Sequence, residues 1–458
     1  MEESSIKKNQ DQTLALMTTA PVGRLIIRMA VPTIISMMIT AVYNMADTFF
    51  VSRLGTSASG AVGINFSIMT IIQALGFTLG MGSGSLTSRA LGAKNYDTAS
   101  RYCSSAIAFS LCMGTALSAA GLIFLKPLIT VLGATSTIQP YAEAYAQYIL
   151  IGVPFMCTTF VMNNQLRFQG KAALSMIGLT AGGILNMFLD PLFIFVFNLG
   201  ISGAAIATLI SQCVSFFILL SMFIRKKATT ELSLRHVARR PDTYGKILKN
   251  GLPSLSRQGL ATVSTILLNV AAGGYGDAAV AGMSITNRVF MFLMSIAIGI
   301  GQGFQPVCGM NFGAGKYDRV KQAFLFMTKT TFVVMTGFGL VFVAFAPQIV
   351  QFFRNDSAVV AVGALAMRCQ CAALPLHALI FGTNMMLQTT GEAKASTFLS
   401  SLRQGLYFIP LILILPRVIG ITGVQITQTI SDVLTSVTSI PFAILFFRKM
   451  NKMEQGTL

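Results

Sequence analysis

The stretch MIGLTAGGILNMFLDPLFIFVF, residues 176–197, contains a single charged group, Asp190. A helix needs about 20 mostly apolar residues to cross hydrocarbon, so this run reads as a membrane span. Charge in hydrocarbon is costly, and an acid kept there reads as an ion, proton or substrate site unless a nearby base neutralises it. No basic residue lies in the run. The run Met29–Val51 repeats the pattern, with Asp47 as its only charge.

Working outward, runs of this kind recur along almost the whole chain of 458 residues, which is 53% hydrophobic and only 10% charged. Hydropathy predicts twelve spans, at roughly 26–52, 58–87, 99–125, 139–165, 173–197, 201–224, 247–272, 279–309, 321–346, 357–386, 395–416 and 420–446. The expected fold class is an all-α integral membrane protein, because the short alternating segments of a membrane barrel are missing. The first twenty residues are polar and have no apolar core, so no cleaved signal peptide is expected.

The net charge of +18 invites a nucleic-acid reading, and its distribution argues against one. With the N-terminus inside, inner segments hold 26 basic residues, whereas outer loops hold Arg53, Lys126, Arg354 and Arg417. That asymmetry is the positive-inside bias, and it predicts both termini in the cytoplasm and no nucleic-acid partner. Contact with anionic lipid is a by-product. The seven cysteines fall mostly inside spans with no C-x-x-C, and read as small packing residues.

The chain repeats itself. At an offset of 221, Pro32 matches Pro253, Gly55 matches Gly276, Gly80 and Gly82 match Gly301 and Gly303, and Asn163 matches Asn384. Past residue 200 the offset becomes 220, where Gly200 and Gly203 match Gly420 and Gly423. Six spans per repeat put both halves in the membrane the same way up, related by a pseudo-two-fold axis along its normal. The expected organisation is a cytoplasmic tail (1–22), a first six-helix lobe (23–224), a solvated linker (225–246), a second lobe (247–447) and a cytoplasmic tail (448–458). Pro32 can bend the first span, and the glycines of the second and eighth spans allow close helix approach. G-x-G-x-G in the second span has no preceding strand and no following Lys-Ser/Thr, so it is not a nucleotide loop. No nucleophile–base set or metal cluster points to an enzyme, and no cofactor is expected.

The halves differ where the acids are. At the repeat offset, Leu268 and Leu411 (or Pro410) stand where the first half has Asp47 and Asp190. Asp47 lies 19 residues beyond Arg28, and Asp190 19 beyond Lys171. At 1.5 Å per residue, both sit about 28 Å from the inner anchors of their helices. Asn186 and Tyr43 each precede an acid by four residues and share its helix face, and Thr208 on the returning sixth span reaches the depth of Asp190. Tyr43, Asp47, Asn186, Asp190 and Thr208 are thus expected to converge as an oxygen-rich seat for a proton, or for Na⁺ at Asp47, Asn186, Asp190 and Thr208. In the bland alternative, Asn186 and Thr208 only hydrogen-bond between helices. In the second half, Gln258 and Arg257 are candidates to line a substrate cavity. His377 could join them, though an interior hydrogen-bonded role suits it better. Asp432 has arginines available to pair with.

Twelve spans in two repeats, Pro32 fifteen residues before Asp47, and N-x-x-x-D-P at Asn186–Pro191 resemble the multidrug and toxic compound extrusion (MATE) family over about residues 20–448. The resemblance is closest to the prokaryotic DinF/MepA-type branch. It implies a V-shaped pair of six-helix lobes that alternates between inward- and outward-open states. It implies export of organic, often cationic drugs in exchange for H⁺ or Na⁺, with the first span hinged near Pro32; a monomer in the plasma membrane is expected. It places Tyr43, Asp47, Asn186, Asp190 and Thr208 in the ion site. The acids that the NorM-type branch carries on the seventh and tenth spans are absent here, where Arg257, Gln258, Arg368 and His377 stand instead. A flippase for lipid-linked oligosaccharides or another amphipathic lipid precursor is the alternative, fitted by the arginines of the second half and not by the acids of the first.

Overall fold

The computed structural model describes residues 2–455, so Met1 and the last residues of the expected C-terminal tail, 456–458, lie outside the described residues. The first repeat comprises α1 (Glu2–Thr19), α2 (Val22–Ser52), α3 (Thr56–Gly92), α4 (Tyr96–Ile123), α5 (Leu125–Val131), α6 (Gln139–Phe168), α7 (Ala172–Pro191) and α8 (Gly200–Ile224). A π-turn, Leu192–Val196, extends α7 directly after Pro191. The second repeat comprises α9 (Pro241–Gly273), α10 (Asp277–Gly313), α11 (Tyr317–Ala344), α12 (Ala346–Phe353) and α13 (Ser357–Ala372). It continues with α14 (His377–Thr390), α15 (Ala393–Ser401), α16 (Phe408–Ile419) and α17 (Ile421–Glu454). A 3₁₀ turn, Leu374–Leu376, joins α13 to α14, and a π-turn, Leu402–Leu406, separates α15 from α16.

Among the described residues eleven helical segments are long and apolar enough to cross a membrane. The span expected at 247–272 is present as the 33-residue α9 but is not one of the eleven. Lys249, Asn250, Ser254, Arg257 and Gln258 dilute its apolar content.

The internal repeat holds to the residue. Helices α3 and α10 start and end 221 residues apart, and so do α4 and α11. The connecting glycines match in conformation as well: Gly55 and Gly276 have φ of 116° and 93°, and Gly170 and Gly391 have φ of 77° and 96°. These left-handed values suit residues without a Cβ. Inter-helix hydrogen bonds recur at the same register. Asn65 Nδ2 donates to the Ala142 carbonyl at 3.1 Å, as Thr286 Oγ1 does to the Gly363 carbonyl at 3.1 Å. Asn163 Nδ2 donates to the Ser175 carbonyl at 2.9 Å, and its repeat mate Asn384 to the Ser396 carbonyl at 2.8 Å.

The chain forms two compact units. The first is Met1–Leu16 with Ile35–Gly251, and the second is Met17–Ile34 with Leu252–Leu458. Compared with the 23–224 and 247–447 division read from the sequence, the start of α2 belongs to the second unit and the start of α9 to the first. Glycine makes room for both arrivals. In the first unit Gly82 of α3 faces the backbone of Ile247 and Gly251 on α9; in the second, Gly303 of α10 faces the backbone of Ala30 on α2. A Cβ at Gly303 would lie 2.5 Å from the Ala30 nitrogen, inside van der Waals contact. Helix α6 is central in the first unit, packed on α3, α4 and α8; α10 plays that part in the second, packed on α11, α13 and α14.

The segments read as a cytoplasmic tail and a solvated linker both make ordered contacts. The linker was expected to be a solvated tether, yet Ala228, Thr229 and Thr230 are buried in the first unit. Gln169 holds them: its Oε1 accepts from the Thr229 and Thr230 amides at 2.8 and 3.1 Å, and its Nε2 donates to Thr230 Oγ1 at 2.9 Å. Buried amides need such partners. The N-terminal tail forms α1, tied to the first unit by Gln10 Nε2 donating to the Thr229 carbonyl and by Tyr96 donating to Asp11. From Met17 onward it belongs to the second unit, where Asn311 Nδ2 donates to the Met17 carbonyl at 3.0 Å.

Candidate functional site

Close packing of small residues brings the first unit's polar side chains together. Gly182 of α7 lies against Ser211 and Ser215 of α8, and the neighbouring Gly183 lies against Ile39 and Tyr43 of α2. Three helices therefore meet with little side-chain bulk between them. One helical turn beyond this glycine pair, Asn186 Nδ2 donates to Asp190 Oδ1 at 3.1 Å and to Thr208 Oγ1 at 3.4 Å. Asn186, Asp190 and Thr208 are 2%, 0% and 4% exposed, which excludes bulk water from the acid. The π-turn that follows Asp190-Pro191 marks the local departure from regular helix, a feature frequent at functional sites.

Tyr43, Asn186 and Thr208 line a cavity of about 90 Å³, with Thr40, Asn44, Gln73, Ser211 and Gln212 contributing further polar wall. Asp47 stands one turn from Tyr43 on α2; its side chain is half-buried and its Oδ1 fully so. Asp47 and Asp190 lie within electrostatic range of each other, and neither has a basic partner among the described residues. All five expected residues thus belong to one region of one unit. Hydrogen bonds join Asn186, Asp190 and Thr208, while Asp47 and Tyr43 approach through space.

Tyr145 was missing from the sequence expectation. It is fully buried on α6, beside Thr208 and within the field of both acids. A signal for it existed in the repeat, where Ala366 is its counterpart, just as leucine faces each acid. Asp47 Oδ1, Asp190 Oδ2, Asn186 Oδ1, Tyr145 Oη and Ser211 Oγ are all buried without a hydrogen-bond partner among the described residues. Orphaned buried oxygens are costly. A set this rich in hard acceptors has the chemistry to hold a proton or a small hard cation.

The second unit holds a different polar cluster. Asp432 on α17 is fully buried and accepts from Arg403 Nε at 2.7 Å and from Gln428 Nε2 at 2.8 Å. His377 Nε2 lies 3.3 Å from its other oxygen. The His377 ring is enclosed between Phe290 and Phe381, and its Nδ1 faces the Ala373 and Leu374 carbonyls. His377 is therefore an interior residue. Arg257 and Gln258, the other cavity candidates, are half-buried on α9.

Two repeats of membrane-length helices, with an acid cluster in the first unit that has no basic partner among the described residues, define a duplicated multi-pass membrane transporter. The chain belongs to the MatE family, whose model matches it twice, over residues 32–192 and 253–414. It is 27% identical over 432 residues to the "Multidrug export protein MepA" of Staphylococcus saprophyticus, covering 94% of this chain and 95% of that one. It is 26% identical over 450 residues to the protein of the same name from Staphylococcus haemolyticus, covering 98% and 99%. Among solved structures, it is similar to the "Outward-facing conformation of a multidrug resistance MATE family transporter of the MOP superfamily" (TM-score 0.90, 26% identity, 96% and 98% covered). It is also similar to the "Crystal structure of MATE in the bent conformation" (TM-score 0.91, 26% identity, 97% and 99% covered).

Proposed function

We propose that the chain is a secondary active exporter of small organic molecules, cationic drugs included, driven by exchange for H⁺ or Na⁺. The observation that carries this reading is the group of unpartnered oxygens around Asp47 and Asp190, at the edge of a polar cavity and with no basic partner among the described residues. Occupied by a proton or Na⁺, the acids lose the cost of uncompensated charge away from water. Vacated, they attract a cationic guest. A ligand drives a cycle only through different affinities for its two states, and competition for one seat supplies that difference. The names of the relatives support the drug side of the exchange. A flippase is not favoured, since the relatives are named as multidrug export proteins.

In this reading Pro32 is the hinge of α2. The helix passes from one compact unit to the other between Ile34 and Ile35, just after the proline. Proline removes one backbone hydrogen bond there and so loosens the helix. The exporter acts as a monomer in the plasma membrane, with both termini in the cytoplasm. Dye efflux from proteoliposomes, under separately imposed pH and Na⁺ gradients, tests the scheme and names the ion. One gradient is expected to drive efflux by itself; efflux indifferent to both overturns ion exchange.

A further inference from the structure

The second unit contains more buried positive charge than its acids offset. Arg403 stands in the π-turn Leu402–Leu406, with its guanidinium over the rings of Phe290 and Phe381 at 5.8 and 6.0 Å. Helix α9 packs directly on that turn: Leu260 lies against Gly405, and Ser264 Oγ donates to the Gln404 carbonyl. Arg257 occupies the same face of α9, one turn before Leu260, and is close enough to Arg403 for their charges to repel.

The acid available to this pair is Asp432, which already accepts from Arg403 Nε and Gln428 and faces His377. Arg257 Nη1 and Arg403 Nη2 remain buried with no hydrogen-bond partner among the described residues. The cluster is therefore at least one positive charge in excess, whatever the state of His377. Two guanidinium groups with unsatisfied N–H bonds are the donor set for a carboxylate, which accepts in pairs and in a plane.

We infer that Arg257 and Arg403 form an anion subsite in the second unit that takes the carboxylate of a zwitterionic or acidic aromatic substrate. Phe290 and Phe381 keep the Arg403 plane oriented toward it, and Asp432 holds Arg403 through Nε while leaving Nη2 to donate. The inference rests on the exporter reading and adds a substrate class to it.

The test compares a zwitterionic rhodamine bearing a free carboxyl group with its methyl ester, which differs only in lacking that charge. Binding of each is read by fluorescence anisotropy on the full-length protein in phosphatidylcholine nanodiscs. Arg257→Gln is expected to weaken the free acid about tenfold, the value of a charge-assisted hydrogen bond, and to leave the ester unchanged. Arg257→Lys, which keeps the charge but not the planar fork, is expected to fall in between and serves if the glutamine variant does not fold. A ratio of acid to ester affinity that stays at the wild-type value in the folded variant overturns the subsite. Ester binding and efflux that persist in that case leave the exporter reading intact, so the two ideas fail separately.

Discussion

A buried hydroxyl without a partner is a cost, and Tyr145 holds one beside Thr208 and within the field of two acids. Were the ring only packing, Tyr145→Phe would be neutral or stabilising, because nothing would be lost with the oxygen. If the hydroxyl completes the ion seat, the same variant keeps its thermal midpoint and binds the coupling ion about fivefold more weakly, the worth of about 1 kcal/mol. Ion titration and thermal unfolding of the purified variant separate these outcomes. Unchanged ion affinity would return Tyr145 to the core. That Asn186, Asp190 and Thr208 are neighbours was legible from spacing. Asn186 and Tyr43 stand four residues before their acids, and helix rise placed Thr208 level with Asp190; the 3.1 and 3.4 Å hydrogen bonds of Asn186 agree with both placements. Tyr145 escaped because depth was compared on three helices, and α6 was not among them.

At the scale of elements, the glycines are the most exacting positions. Gly82 meets the backbone of α9, which cannot swing aside as a side chain can, whereas a methyl group at Gly63 on the same helix would have nothing within 4 Å. Gly82→Val is therefore expected to cost about 1–3 kcal/mol through overpacking, and Gly63→Ala to cost little. Thermal unfolding of the two variants in detergent checks this, and equal midpoints would mean that α9 is not held closely against α3. The sequence showed these glycines as a repeated pattern, but not which helix each one admits. Helix α9 itself was legible as a helix and less so as an apolar span, since polar residues run through it. The strapped linker was not legible at all. Its composition is that of solvated chain, and long-range bonds from Gln169, Ser100, Ser104 and Ser105 fasten it.

For the whole molecule, duplication was visible in the repeated Pro, Gly and Asn positions, and the structure keeps the offset of 221 to the ends of α3 and α4. The exchange of helix ends was not. Hydropathy says that α2 and α9 are long, and says nothing about which unit buries each part of them. Helix α2 contributes Asp47 and Tyr43 to the first unit, while its start is built into the second. The central claim is that the drug and the ion compete through Asp47 and Asp190. Drug added to purified protein in weakly buffered detergent, with pH and Na⁺ electrodes in the solution, measures that competition directly. Wild-type protein is expected to release H⁺ or Na⁺ in proportion to drug bound, and Asp47→Asn and Asp190→Asn to bind drug with little or no release. Undiminished release from both variants would contradict the account.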